Sequence, residues 1–226
     1  YQKLIIAHPE KQNFQYNLAT AYQQTGKYNE AIKLLTQLVA TNPKSVAMGQ
    51  RLADCYEKTG NLQMAKNTYT NLIRLGKIPA DVYYRYAILC MKTDDKDKAE
   101  TIFKKVIQLD PKNPYAHKDL GVVYLSQRLF DYAKEEFETA YKMAPEDSAV
   151  VFEMANFYHA MNDFQKAKEL YEKAFKLAPE VMDIAVFRAI NYLRLNEIDT
   201  ALELFLDAMK KYPSQHIILF NIGLIY

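Results

Sequence analysis

From residue 114 onward, side chains able to pack fall at spacings of three, four and seven. They are His117, Leu120, Gly121 and Tyr124, and after a short gap Ala133, Phe137 and Ala140. Such spacings place side chains on one face of an α-helix. The segment therefore predicts two amphipathic helices of about a dozen residues, joined by a tight turn.

The same pattern runs the length of the chain, and proline sets its period. Pro9, Pro43, Pro111, Pro145, Pro179 and Pro213 are spaced by 34, 68, 34, 34 and 34 residues. The missing position falls at Lys77, with Pro79 two residues later. Cut at 34, the chain gives six full units, 12–45, 46–79, 80–113, 114–147, 148–181 and 182–215. Half units, 1–11 and 216–226, flank them in what reads as a single array over 1–226.

Aligned units expose columns. The eighth position is always small: Ala19, Ala53, Ala87, Gly121, Ala155, Ala189 and Gly223. The twentieth is always alanine: Ala31, Ala65, Ala99, Ala133, Ala167 and Ala201. The eleventh is tyrosine except at Cys90. The twenty-fourth holds Tyr1, Leu35, Tyr69, Phe103, Phe137, Tyr171 and Phe205. Columns 4, 7, 8 and 11 form one stripe, and columns 20, 24 and 27 another. Small residues let helices approach closely, and a bulkier one would overpack the contact at about 1–3 kcal/mol. The large aromatic fills the remaining space, worth about 1.5–3 kcal/mol when buried. The turn column reads Gly26, Gly60, Asp94, Arg128, Asn162 and Asn196. Gly, Asn and Asp best tolerate a left-handed backbone, and Arg128 implies tolerated strain. The proline column ends the second helix.

Composition removes other classes of function. The chain has 226 residues, and its 29 basic and 27 acidic residues give a net charge of +2. That balance carries no electrostatic footprint for nucleic acid or an anionic membrane. No run of about 18 apolar residues predicts a membrane span. Cys55 and Cys90 are too few for a disulfide framework and read as plain buried thiols. His8, His117, His159 and His216 make no metal-ligand spacing, and no phosphate-binding glycine loop occurs. No catalytic constellation, metal or cofactor is expected.

The fourth unit reads His117, Leu120, Gly121, Tyr124, Ala133, Phe137, Pro145. It resembles the tetratricopeptide repeat, whose pattern is W-x2-L-G-x2-Y, A-x3-F and P over about 34 residues. The resemblance covers the whole chain. The tryptophan column departs from it, with Gln15, Gly49, Tyr83, His117, Val151, Ala185 and Leu219. Arg188 replaces an apolar residue of column 7, so unit six is either locally distorted or its arginine stem snorkels along its neighbours. The resemblance implies an all-α, right-handed superhelical solenoid of antiparallel helix pairs whose first helices line a concave groove. It also implies a non-catalytic scaffold that binds a protein or peptide partner.

By that resemblance, columns 2, 5, 9, 12 and 13 face the groove. Units one and two are polar there. From unit three the surface turns apolar, and the expected partner-binding residues are Tyr84, Arg85, Ile88, Met91, Tyr115, Lys118, Val122, Leu125, Phe152, Asn156, His159, Val186 and Ile190. Exposed apolar residues not required for packing form a candidate binding surface. Tight curvature burying some of them is the competing reading. Phe152→Glu is expected to abolish binding and leave helicity intact. In column 6, Arg51 and Arg85 give way to Asp119 and Glu153, which either orients a charged peptide or forms a solvated helix face. His159 either bonds a ligand or is solvated. The carboxylate-clamp pattern of chaperone-binding relatives is absent, since Asp81 stands where a clamp lysine would be. A structural assembly arm acting through the outer face or ends, or a recruitment domain of a larger enzyme, are the other readings. Neither end looks like a polar cap, so self-association through the ends is expected. Localisation is left open.

Overall fold

The structure is a computed structural model that describes residues 12–225. The half unit 1–11, with Tyr1 and Pro9, and the terminal Tyr226 lie outside the described residues. First helices begin at Gln12, Val46, Ala80, Pro114, Ser148, Met182 and His216; second helices begin at Tyr28, Leu62, Lys96, Phe130, Phe164 and Ile198. Both series advance by 34 residues. We number the elements α1 (Gln12–Gln24), α2 (Tyr28–Thr41), α3 (Val46–Lys58), α4 (Leu62–Arg74), α5 (Ala80–Lys92), α6 (Lys96–Leu109), α7 (Pro114–Ser126), α8 (Phe130–Met143), α9 (Ser148–Ala160), α10 (Phe164–Leu177), α11 (Met182–Arg194), α12 (Ile198–Lys211) and α13 (His216–Ile225). No described helix is long and apolar enough to cross a membrane.

All six turn residues are left-handed, with φ between 54° at Asp94 and 77° at Gly60. Two hydrogen bonds set this. In each turn the residue after the left-handed one donates its N–H to the carbonyl of column 11, as Lys27 does to Tyr22 at 2.8 Å and Leu129 to Tyr124 at 2.9 Å. The left-handed residue donates to column 12, as Arg128 does to Leu125 at 3.0 Å. This paired closure satisfies the last carbonyls of the helix and needs positive φ at its centre. Arg128, at φ 61°, is held there against its side chain. A left-handed non-glycine residue costs roughly 1–2 kcal/mol. Arg128→Gly is therefore expected to stabilise the protein by about 1 kcal/mol in urea unfolding. A loss of stability would show that the arginine side chain itself contributes.

Repeat two lacks the terminating proline at Lys77. There Gly76, at φ 96°, follows the end of α4, and Pro79 becomes the residue preceding α5, with φ −62° and ψ 152°.

The described residues fold as two compact units, divided between Pro111 and Lys112. The first contains α1–α6 and the second α7–α13. Within each, a first helix packs on its own second helix, and second helices such as α2, α8 and α10 pack on the following first helix. A first helix is thus covered from two sides, and its buried arc is wider than columns 4, 7, 8 and 11. Column 3 (Val82, Ala116, Val150, Ile184, Ile218) and column 10 (Cys55, Leu89, Val123, Phe157) are buried as well. The alanines of column 20 and the large residues of column 24 are sealed, Leu35 through Phe205.

Candidate functional site

In the first unit a cavity of about 400 Å³ opens against α1, α3 and α5. Tyr84, Arg85 and Ile88 line it, together with Tyr28, Asp54, Glu57 and Lys92. Met91 is half-buried and does not line it. Tyr84 sits edge-on to Phe103, with centroids 5.9 Å apart. The carboxylates are positioned from below. Tyr69, itself sealed in the core, donates its hydroxyl towards Asp54 Oδ1 at 3.3 Å and Glu57 Oε1 at 3.4 Å. Burial, and then both carboxylates, push the Tyr69 phenol above its ordinary range. Arg85 Nη1 reaches Asp54 Oδ1 at 3.3 Å, and Lys92 Nζ reaches Glu57 Oε2 at 3.4 Å. The arginine and lysine are largely exposed, so each pair is worth no more than about 1 kcal/mol. The other column-6 arginine also reaches back one repeat, with Arg51 Nε donating to Tyr16 Oη at 2.7 Å and Nη1 to Gln23 Oε1 at 2.8 Å.

In the second unit most of the expected residues already have partners. Tyr115 is exposed, and its hydroxyl donates to Asp147 Oδ2 at 2.7 Å; Asp147 also caps α9 through the amides of Ala149 and Val150. Lys118 forms an ion pair with the buried Asp119. Val122, Leu125 and Ile190 are half-buried. Phe152 stands between Tyr171 and Phe187, with centroids 5.9 and 5.7 Å away. A glutamate there would be driven into an aromatic cluster, so Phe152→Glu tests folding as much as binding. Asn156 accepts from Tyr171 Oη at 2.7 Å and donates to Glu153 Oε2 at 3.1 Å.

Val186 is a correction. It is 1% exposed and lies in a buried cluster with Ala189, Phe205, Ala208 and Ile218. A side chain so covered offers no surface to a partner. Column 6 is not a solvated stripe here either. Asp119 is buried, and burial raises the Glu153 carboxyl above its ordinary value.

His159 Nδ1 meets Asn191 Oδ1 at 2.9 Å, and the fully buried Asn191 donates Nδ2 to the Phe164 carbonyl at 2.9 Å. The carbonyl demands a donor, which fixes the amide orientation and makes His159 donate through Nδ1. Burial lowers the His159 pKa, against the bond to Asn191. A histidine whose folded pKa lies below its unfolded value of about 6.5 loses stability as pH falls below that value. Urea stability is expected to decline from about pH 7 to pH 5, and His159→Gln should flatten that decline. An unchanged pH slope in the variant would refute this assignment.

Arg188 snorkels rather than distorting its repeat. Its Nε donates to Glu172 Oε1 at 2.7 Å and its guanidinium lies 4.2 Å from the Phe175 centroid. Burial pushes the thiols of Cys55 and Cys90 up to about 11, which makes poor nucleophiles of both at neutral pH.

The expected binding residues leave out Asp54 and Glu57, whose repeat reads as ordinary polar surface, and Lys92, a charged residue at the end of an otherwise apolar set. The signal was present in a pairing of columns 9 and 24. Tyr69 and Tyr171 accompany Asp54 and Asn156, whereas Phe103, Phe137 and Phe205 accompany Ile88, Val122 and Ile190. In repeats two to six a polar column 9 accompanies a buried hydroxyl beneath it, whereas in repeat one Thr20 accompanies Leu35.

A family model described as the cilia and flagella-associated protein 70 middle TPR-like domain matches residues 50–178. Two tetratricopeptide repeat models match residues 1–47 and 152–216. None of the curated proteins matches the chain. Among solved structures, PilW, a widely conserved type IV pilus biogenesis factor, aligns with a TM-score of 0.81 at 16% identity, over 94% of this chain and 99% of its own. The APC/C hetero-tetramer Cut9–Hcn1 gives 0.78 at 16% identity over 99% of this chain, which spans 44% of the matched one. YrrB, described as a TPR protein with an unusual peptide-binding site, gives 0.65 at 16% identity, over 81% of this chain and 94% of its own. At these identities the structural likeness establishes the fold, an all-α solenoid of antiparallel helix pairs. The first family match spans more than half of the sequence, and the chain belongs to the tetratricopeptide repeat family, within the group of the cilia and flagella-associated protein 70 middle TPR-like domain.

Proposed function

We propose that the chain binds an extended peptide or partner helix against α1, α3 and α5, in the cavity lined by Asp54, Glu57, Tyr84, Arg85 and Ile88. The tetratricopeptide fold is that of a protein-interaction scaffold, and chains of this fold are generally non-catalytic. The cavity carries the finer reading: about 400 Å³, with Ile88 and the rings of Tyr28 and Tyr84 set among charged side chains. Concave sites that combine apolar surface with placed polar groups are where ligands bind. The ion pairs Arg85–Asp54 and Lys92–Glu57 are weak and exposed, so a partner can displace them at little cost. YrrB, whose description includes a peptide-binding site, offers a precedent for this fold.

The test is selection of displayed random peptides on the immobilised chain, followed by fluorescence anisotropy. Ile88→Glu should weaken the selected peptides by at least about tenfold, or 1.4 kcal/mol, at unchanged helicity. Peptides that bind Ile88→Glu as tightly as wild type would sink the assignment.

A further inference from the structure

The tryptophan column holds no tryptophan, and each repeat must fill that volume in another way. In repeat two, Leu72 takes the space over Gly49, where an added β-carbon would lie 2.5 Å from Leu72 Cδ2. Leu38 accompanies Gln15, Val106 accompanies Tyr83, and His117 and Val151 stand opposite Ala140 and Ala174. Of the six full repeats, repeat six has alanine at both positions, Ala185 and Ala208. A cavity of about 340 Å³ results, with both alanines in its lining and Phe175, Leu204 and Tyr212 around them.

Two cations line the same cavity. Arg188 is 16% exposed and fixed between Glu172 and the Phe175 ring. Lys211 Nζ donates to the Pro179 carbonyl at 2.9 Å. The carboxylate of the lining, Asp207, is engaged by Lys210 at 2.8 Å. Glu172 already neutralises Arg188, so Lys211, whose Nζ meets a neutral carbonyl, is the cation that favours an anion beside an apolar group.

We propose that this cavity binds a segment of a partner protein carrying a large aromatic side chain next to a carboxylate. The ring supplies from outside the volume that a tryptophan would supply from within, and the carboxylate meets Lys211. The volume lies at the low end of the range for ligand pockets, about 300–1,000 Å³, which suits one large side chain rather than a helix. Atoms lining a void lose dispersion contacts, and an incoming ring restores them. Such a ring carries about 150–250 Å² of surface for burial. The site shares no residue with the cavity at α1, α3 and α5.

Methyl NMR of the whole chain, titrated with the capped tripeptides Glu-Trp-Glu, Lys-Trp-Lys and Glu-Ala-Glu, tests this. Glu-Trp-Glu should shift the methyls of Ala185, Leu204 and Ala208 saturably, and the other two should bind about tenfold more weakly or less. Ala208→Leu, the residue of repeats one and two, should raise the melting temperature and abolish the shifts. Ala185→Val, the residue of repeat five, serves if that variant does not fold. Ile88→Glu should leave the shifts unchanged, which separates this site from the other. Absent shifts, equal response to all three peptides, or shifts that persist in a folded cavity-filled variant would each overturn the proposal.

Discussion

Replacing Asn156 with isoleucine should destabilise the protein by about 2–3 kcal/mol, although the side chain is only half-buried. The reason lies beneath it. Tyr171 is completely buried, and its hydroxyl donates to Asn156 Oδ1 at 2.7 Å. Isoleucine removes the acceptor, and a buried unpaired hydroxyl costs about 1–3 kcal/mol. It also removes the amide that donates to Glu153 at 3.1 Å. Tyr171→Phe alone should cost about 1 kcal/mol, one net hydrogen bond. The double variant recreates the pair that repeats three and six carry, Ile88 with Phe103 and Ile190 with Phe205. It should lose less than the sum of the two single losses, by a coupling of about 1–2 kcal/mol in a double-mutant cycle. The Glu153 contribution is common to the single and double isoleucine variants and cancels in the cycle. Urea unfolding of the four proteins measures it. Additive losses would mean that columns 9 and 24 do not depend on one another.

The second large effect is a change of sign within one column. Gly121 and Gly223 occupy the same small position, and elsewhere that position is alanine. A β-carbon on Gly121 would lie 2.9 Å from Cδ1 and Cε1 of Phe137, whose ring is buried. A β-carbon on Gly223 would meet nothing within 4 Å. Glycine in a helix costs roughly 0.5–1 kcal/mol relative to alanine. Gly223→Ala should gain about that much. Gly121→Ala gains it too, but overpacking of about 1–3 kcal/mol outweighs it, so a net loss of about 1–2 kcal/mol is expected. Equilibrium unfolding of the two variants decides the matter. A stabilised Gly121→Ala would show that Phe137 can move aside at no cost.

Both predictions concern volume and polarity shared between positions in different helices. The expected binding residues show the same dependence. Ile88 and Tyr84 stay accessible beside the short Asp54 of the preceding repeat and the movable Arg85 and Lys92 of their own. Val186, in the same column as Tyr84, is buried in a cluster that includes Phe205 of its own repeat and Ile218 of the following one. Column 5 is therefore surface in one repeat and core in another.

The sequence by itself determined the period, the two helices of each repeat, the left-handed turn and the alanine and aromatic columns. Each depends on residues within one 34-residue unit, where helical spacing and backbone preference act over three to twenty positions. The pairing of columns 9 and 24 was legible there as well. Only the tertiary structure decided which side chains off the packed face remain exposed. That outcome depends on residues about one repeat away, as with His159 and Asn191, Arg85 and Asp54, or Val186 and Ile218. It also decided where packing volume fails to close, because the void beside Ala185 and Ala208 is set by the sum of neighbouring side chains and by no single position.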